Sequence, residues 1–540
     1  MTRIGNIDYD YGSGGTQDMT GVVKQIKNGA TVLVDYSQLG VDRTVIANYS
    51  GQPGVELTYY ASSGTTDAGD QYVGLDRFGR VIDQRWHKAG TDKERVKYGF
   101  DRAGNRQWRE NTVAASNQDE YYTYDGLYQL DSLKRGNLTG GPPPTGIAST
   151  PVWQEDFDYD ATGNWHGSST GYQTQVSGTT TLNQNRTHNV ANEITNITES
   201  TGTAWPTPTH DGNGNSTTVP RPLDLANGFD LKYDAWNRLV EVKNTGGSVV
   251  STYAYDGANR RTTKVYSSVT RHYYYSDQWQ VLEERVGASS SADRQFVWGT
   301  RYIDDLIYRE YSGTRYYALH DYFSVTAIVD TSGNVQERYG YDAFGNVRFM
   351  TAAFGASTSS YGWETLYGAY HFDVDSGLYQ VRFRYLHTSL GRWINRDPIG
   401  YEDGVNLYAY VGNNTVNLVD PTGTSVSHII KELIAAILAK LLVKGGVISS
   451  FDDCKQEALI DCKSCCTYLQ TVGITAMLAL TVGTWLTACT AFGAATGGLG
   501  FLACFAAFQA WKIYSIVSIN DKYKKCLDSC EDCPPSVDIA

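Results

Sequence analysis

The sequence predicts a mainly β protein in which hairpins stack edge to edge into one long sheet, with a small α-helical hairpin at its C-terminal end. Composition gives the first reason: 40 Tyr and 55 Gly stand against 13 Pro and 16 Phe, a balance that suits strands and tight turns. A short theme repeated along the chain gives the second. The third is an abrupt change near residue 424, where a body rich in Tyr, Gly and Asn gives way to a tail of Ala, Leu and Cys. The 540 residues suffice for several domains of about 100 to 200 residues, or for one large β architecture with an appendage. A net charge of -13, with no basic run interleaved with aromatics, argues against a nucleic-acid partner.

The repeated theme has the form Tyr-x-Tyr/Phe-Asp-x-x-Gly-Asn-Arg. It appears as "YGFDRAGNRQW" from Tyr98, "YTYDGLYQLDSL" from Tyr122, "FDYDATGNW" from Phe157, "LKYDAWNRLVEV" from Leu231, "YAYDGANRRTTKV" from Tyr253 and "YGYDAFGNVRF" from Tyr339. In adjacent copies the aspartates Asp76, Asp101 and Asp125, and later Asp211, Asp234 and Asp256, lie about 21 to 25 residues apart. Alternating aromatics lead into a turn and then into a polar-apolar alternation, which reads as strand, turn, strand. A single hairpin is marginal in water, so stacked copies must share a sheet. The Asp side chain can cap its turn, and Gly supplies a positive φ where the turn needs one. The Pro/Gly/Thr-rich segments 138 to 156 and 200 to 225 read as loops between hairpins.

These repeats resemble the YD repeats of the Rhs family, relatives of the toxin-complex C subunits and the teneurins. The resemblance sharpens in "HDYFSVTAIVDTSGNVQERYGYDAFGNV" (320 to 347), "GLYQVRFRYLHTSLGRWINRDPIG" (377 to 400) and "NLYAYVGNNTVNLVDPTG" (406 to 423). It implies a YD-repeat β-shell over 1-318, an Rhs-associated core over 319-423 that closes the shell, and a variable tail over 424-540. It also implies a continuous, spiralling sheet. About 420 residues is short for a whole shell, which leaves it incomplete or completed by a partner.

In the tail, "HIIKELIAAILAKLLVKGG" (428 to 446) reads as a helix, either a core helix or one lying on a membrane surface. No charged residue lies between Lys463 and Lys512, and "GAATGGLG" (493 to 500) divides that span into two arms, so a helical hairpin is expected, with membrane contact by 467-520. All nine Cys fall between Cys454 and Cys533. Antiparallel arms turning near Ala495 would set Cys462 against Cys530, Cys466 against Cys526 and Cys489 against Cys504 as disulfide candidates. Cys462, Cys465, Cys530 and Cys533 as paired zinc ligands are the competing reading. Disulfides would place the tail in an oxidising compartment. The first residues show no signal peptide, so a secreted or cell-surface location implies another export route or a longer parent chain.

No His-Glu-x-x-His, nucleophile elbow or Lys-bearing phosphate loop is present, so neither a cofactor nor a conventional hydrolase or kinase is expected. Two aspartates are each followed by Pro-x-Gly: Asp397 in "RDPIG" and Asp420 in "VDPTG". Asp-Pro-x-Gly is a good β-turn signature. Two carboxylates brought together can also share a proton, one acting as base and the other as acid. The resemblance implies the second use: an intramolecular aspartyl protease formed by Asp397 and Asp420, assisted by Arg384, which cuts beside Gly423 and Thr424. The family's Arg-Tyr-Tyr-Asp-Pro reads "RYLHT" here, with Leu386, His387 and Thr388, and Thr424 stands where a large apolar residue is usual.

Two functions follow. One is a delivery protein of the polymorphic-toxin type, whose shell encloses a membrane-active C-terminal cargo, with a secretion or delivery apparatus and an immunity protein as partners. The other is a membrane-anchored adhesion protein whose repeats bind glycans or cells and whose hairpin stays attached as an anchor.

Overall fold

The computed structural model describes residues 7–10, 23–39, 43–59, 72–167 and 171–424. The helical, disulfide, zinc and membrane expectations for the tail lie outside the described residues.

The described chain is almost wholly antiparallel β. One fourteen-stranded sheet runs in chain order from Ile7–Asp10 to Ile194–Thr201, and a second from Thr209–His210 to Val347–Thr351. The break between them falls at "GTAWPTP", where Pro206 and Pro208 cannot donate to a ladder. A smaller excursion forms the two-stranded hairpin Leu138–Thr139 with Gly146–Ile147. The second sheet runs on past residue 319 through Thr314–Asp321, Ser324–Val329 and Val335–Tyr341. A separate four-stranded sheet follows, made of His371–Asp373, Leu378–Val381, Arg384–His387 and Arg392–Trp393.

The repeat has a physical explanation at each position. In the copy at Asp256, the carboxylate accepts from the amides of Ala258 and Arg260, both at 2.9 Å, and its second oxygen accepts from Arg260 Nε at 2.7 Å. Asp234 does the same with Trp236 and Arg238, and Asp101 with Asn105. The fourth residue of the turn takes a positive φ, as Gly104 does at 96°, and where Gly is missing Asn237 and Asn259 take its place. In several copies the tyrosine just before the turn points back to the previous repeat: Tyr124 Oη donates to Arg106 O at 2.7 Å, Tyr255 to Leu239 O at 2.6 Å and Tyr275, which precedes Ser276, to Arg261 O at 2.8 Å. The aromatic two places earlier, Tyr98, Tyr122, Tyr253, Tyr273 or Tyr339, is buried on the same face.

Those inner faces are filled. The first strands of the repeat array pack Ile26, Val34, Leu57 and Trp86 against Ile307, Tyr317, Leu319 and Ala327 of the second sheet. Both sheets then share a larger apolar cluster with the four-stranded sheet and the segment that follows it. Each fully buried ring or aliphatic side chain in these clusters contributes about 1.5 to 3 kcal/mol. Cavities of about 500 and 520 Å³ remain, the size of small-molecule pockets.

Polar ties lock the four-stranded sheet in place. Fully buried Asp373 accepts from Arg261 Nη1 at 3.0 Å and Lys264 Nζ at 2.8 Å, both from the repeat sheet, and from Tyr253 Oη at 3.2 Å. Farther on, a run of asparagines lies along the row of repeat turns: Asn406 Nδ2 donates to Asn164 Oδ1 at 2.8 Å, Asn413 Nδ2 to Gly163 O at 2.8 Å and Asn414 Nδ2 to Asn105 Oδ1 at 3.2 Å.

Candidate active site

Arg384 opens the third strand of the four-stranded sheet, directly after the two-residue hairpin tip Arg382-Phe383. Asp397 lies beyond the fourth strand, and its amide donates to Leu407 O at 3.0 Å. Asp420 sits in the last described turn, where its amide donates to Tyr370 Oη at 2.8 Å. These three residues lie far apart along the ladder but meet at one point.

The meeting point is the Arg384 guanidinium, which is 2% exposed. Its Nη2 lies 2.7 Å from Asp397 Oδ2 and 3.3 Å from Asp420 Oδ2. Its Nε donates to the carbonyl of Gly423, and Nη1 donates to Leu407 O at 3.3 Å. The guanidinium carbon stacks 4.3 Å from the Trp393 ring centroid. One planar fork therefore touches both aspartates and the carbonyl of the Gly423–Thr424 peptide bond.

Each carboxylate has further partners. Asp397 Oδ1 accepts from the Ile399 amide at 3.0 Å, the ordinary Asp-Pro-x-Gly turn bond. Asp420 Oδ1 accepts from Thr422 N at 3.2 Å, Thr422 Oγ1 at 3.0 Å and Gly423 N at 2.9 Å. The turn reading and the paired-carboxylate geometry thus coexist. Burial pushes the Asp397 carboxyl up to about 6, against the pull of Arg384 and the Ile399 amide, while Asp420 and Asp403 add to the push. Burial also lowers the Arg384 guanidinium from its ordinary value, opposed by Asp397, Asp420 and Asp403.

Gly423 is required for steric reasons. Its φ is 71°, and a Cβ there would lie 2.5 Å from Val381 O and 3.2 Å from Arg384 N. Thr424 Oγ1 lies 2.8 Å from Thr422 Oγ1. The residues of "RYLHT" are used for packing: Leu386 is fully buried, and His387 accepts the Leu390 amide on Nδ1 at 3.2 Å while Nε2 donates to Pro220 O at 2.7 Å. Burial lowers His387 to about 4, so the ring is neutral near pH 7.

Sequence reasoning missed two contributors: Tyr370, which receives the Asp420 amide, and Arg382, which donates to Pro421 O. No local pattern marks Tyr370, but Arg382 stands two residues before Arg384 in "RFR". The cysteine candidates lie outside the described residues.

A sheet of YD-repeat hairpins, closed over a core in which an arginine joins two Asp-Pro-x-Gly turns, defines a class of β-shell protein. The chain is similar to Rhs/YD-repeat proteins, and its residues 233–268 match the RHS Repeat family model. It is 29% identical over 277 residues to the tRNA3(Ser)-specific nuclease WapA of Bacillus spizizenii, a match spanning 50% of this chain and 11% of that protein. It is 23% identical over 382 residues to toxin subunit YenC2 of Yersinia entomophaga, spanning 62% of this chain and 38% of that one. Among solved structures, the Photorhabdus luminescens Tc holotoxin pore matches at a TM-score of 0.54 and 20% identity, over 74% of this chain and 20% of that one. That similarity shows a shared fold. The chain thus spans well under half the length of each of these relatives.

Proposed function

We propose that this chain is the repeat-and-core portion of an Rhs-type toxin delivery protein, and that it cuts itself after Gly423 to free the tail. The observation that carries this reading is the single Arg384 fork on Asp397, Asp420 and the Gly423 carbonyl. An aspartate pair can hydrolyse a peptide if one carboxylate takes a proton from water and the other supplies one to the departing nitrogen. Asp397, held near 6, is the proton donor, and Asp420 is the base. The water oxygen bonds to the Gly423 carbonyl carbon, the C–N bond to Thr424 breaks, and the Thr424 nitrogen leaves as an amine carrying the delivered proton. Arg384 Nε stabilises the charge that develops on the Gly423 oxygen.

The released segment, 424-540, is a membrane-active cargo on this reading. Cavities of about 500 Å³ do not hold such a segment. Enclosure therefore requires sheet beyond the described residues, from a longer parent chain or a partner, and a delivery apparatus is part of the proposal, with a secreted or cell-surface destination. The similarity to a toxin subunit and to a holotoxin assembly supports this direction.

Intact mass under denaturing, non-reducing conditions, for wild type and Asp397→Asn, is the test. A C-terminal fragment of about a fifth of the chain in wild type alone is the expected result. Uncut chain in both would overturn self-cleavage and favour the anchored adhesion reading.

A further inference from the structure

We infer that the hairpin tip Arg382-Phe383 is a positioning device that ties cleavage to the repeat sheet, so that the bond is cut only once that sheet has docked. This rests on the self-cleavage reading above. Three consecutive residues of the tip and its strand grip three consecutive carbonyls of the cleavage turn. Arg382 Nη1 donates to Pro421 O, the Phe383 amide donates to Thr422 O at 3.2 Å, and Arg384 Nε donates to Gly423 O. The register of the scissile bond over the aspartates is therefore set by residues 382 to 384.

The tip is in turn held by the repeat sheet. Asp304, in the loop between strands Arg294–Trp298 and Leu306–Tyr311, accepts both Arg382 Nη1 at 2.9 Å and Nη2 at 2.7 Å. This bidentate pair has both side chains 11% exposed. Phe383 rests on Trp279 of the Ser276–Gln280 repeat turn, with ring centroids 4.9 Å apart. Without the repeat sheet, neither tip residue keeps its anchor.

Backbone geometry gives an independent reason to assign the tip a task. Arg382 has a φ of 35°, at the first of two tip positions where hairpins favour Gly, Asn or Asp. A non-glycine residue held there is strained, and such strain persists where surrounding contacts over-determine it. Glycine would suit the turn better and could make neither contact.

In the full chain, Arg382→Gly should slow the appearance of the tail fragment after cell-free synthesis, beyond any change in melting temperature from the lost Asp304 pair. The expected slowing is at least ~10-fold, since a displacement of about 1 Å at a reacting centre costs ~100-fold. Asp304→Asn should slow it comparably, and the double variant should be no slower than the worse single one. The pH midpoint of the rate should stay in place, because the aspartates are untouched. In an Asp397→Asn background, which stays whole, hydrogen exchange at the Phe383 amide should accelerate when Arg382→Gly or Asp304→Asn is added. Cleavage by Arg382→Gly within twofold of the parent rate would overturn the inference, as would unchanged exchange at Phe383. If the parent chain is never cut, the self-cleavage reading falls, and the exchange comparison still decides whether the tip holds the turn.

Discussion

Replacing Asp373 with Asn removes one negative charge from a site where both Arg261 and Asp373 are fully buried and Lys264 nearly so. The amide can still accept one hydrogen bond, but its NH2 end then faces a cation, and Arg261 loses its ion-pair partner. Lys264 keeps Asp375, at 2.6 Å. Breaking a buried pair by removing one member costs about 3 to 5 kcal/mol, mostly from the charge left behind. For a cooperative unit of roughly 400 residues, an unfolding entropy of about 2.1 cal/mol/K per residue converts about 4 kcal/mol into a Tm loss of about 5 °C. Differential scanning calorimetry at pH 7 reads this directly. Exchange at the His371–Asp373 and Leu378–Val381 amides should rise first, because the ion cluster joins those strands to the repeat sheet. The triple replacement Asp373→Leu, Arg261→Met and Lys264→Met should recover most of the loss, since apolar residues of similar volume need no partner. A shift below about 1 °C for Asp373→Asn would show that the two cations are satisfied elsewhere, and the reasoning from a closed ion cluster would fail. Burial pushes the Asp373 carboxyl up, but Lys264 and Arg261 more than offset it and leave it below the carboxylate range. Its contribution is therefore full above the unfolded value near 3.9 and is lost only as pH falls through the lower folded value.

Gly423→Ala should slow tail release by ~100-fold and cost about 1 to 2 kcal/mol, because an alanine at φ 71° also meets Val381 O; fragment mass and urea melts report the two effects. The cleavage rate should fall about tenfold per unit as pH rises above about 6, where Asp397 loses the proton it must donate; a flat profile from pH 6 to 8 would remove Asp397 from that role. Asp256→Ala should cost about 1 to 2 kcal/mol in urea melts at pH 7, since it empties a cap serving two amides and Arg260. For Asp256 itself, burial pushes the carboxyl up while the Arg260 and Ala258 bonds bring it down overall, so the wild-type advantage over the variant should be full above about 3.9 and fade as pH falls from there through the lower folded value.

The hairpins were legible because their information is local. Alternating aromatics, an Asp and a Gly or Asn three residues later all lie within one turn, and every bond of the Asp256 cap spans at most four positions. The two Asp-Pro-x-Gly motifs were equally visible, and the resemblance supplied Arg384 as their companion. What could not be read is what depends on distant partners. Asp373 meets Arg261 across 112 positions, and Arg382 meets Asp304 across 78, with nothing in either neighbourhood to name the other. Nor does the run of asparagines after Asn406 name its partners, which are repeat turns more than 240 positions away. The split into two fourteen-stranded sheets was foreshadowed only by prolines that read as a loop.

In several repeats the tyrosine that precedes the turn gives the array a direction. Tyr124, Tyr255 and Tyr275 each bond to a carbonyl that the ribosome has already delivered, never to one still to come. A chain emerging at about 5 to 20 residues per second completes a unit of some two dozen residues every few seconds, and each can be fastened to its predecessor at once. Assembly of these turn-to-turn links then runs like back-stitching, while the packing of the first strands against the second sheet waits for strands made later. Asp397 and Asp420 emerge after these repeats, so on the self-cleavage reading the site is completed only after the strands it packs against have been made.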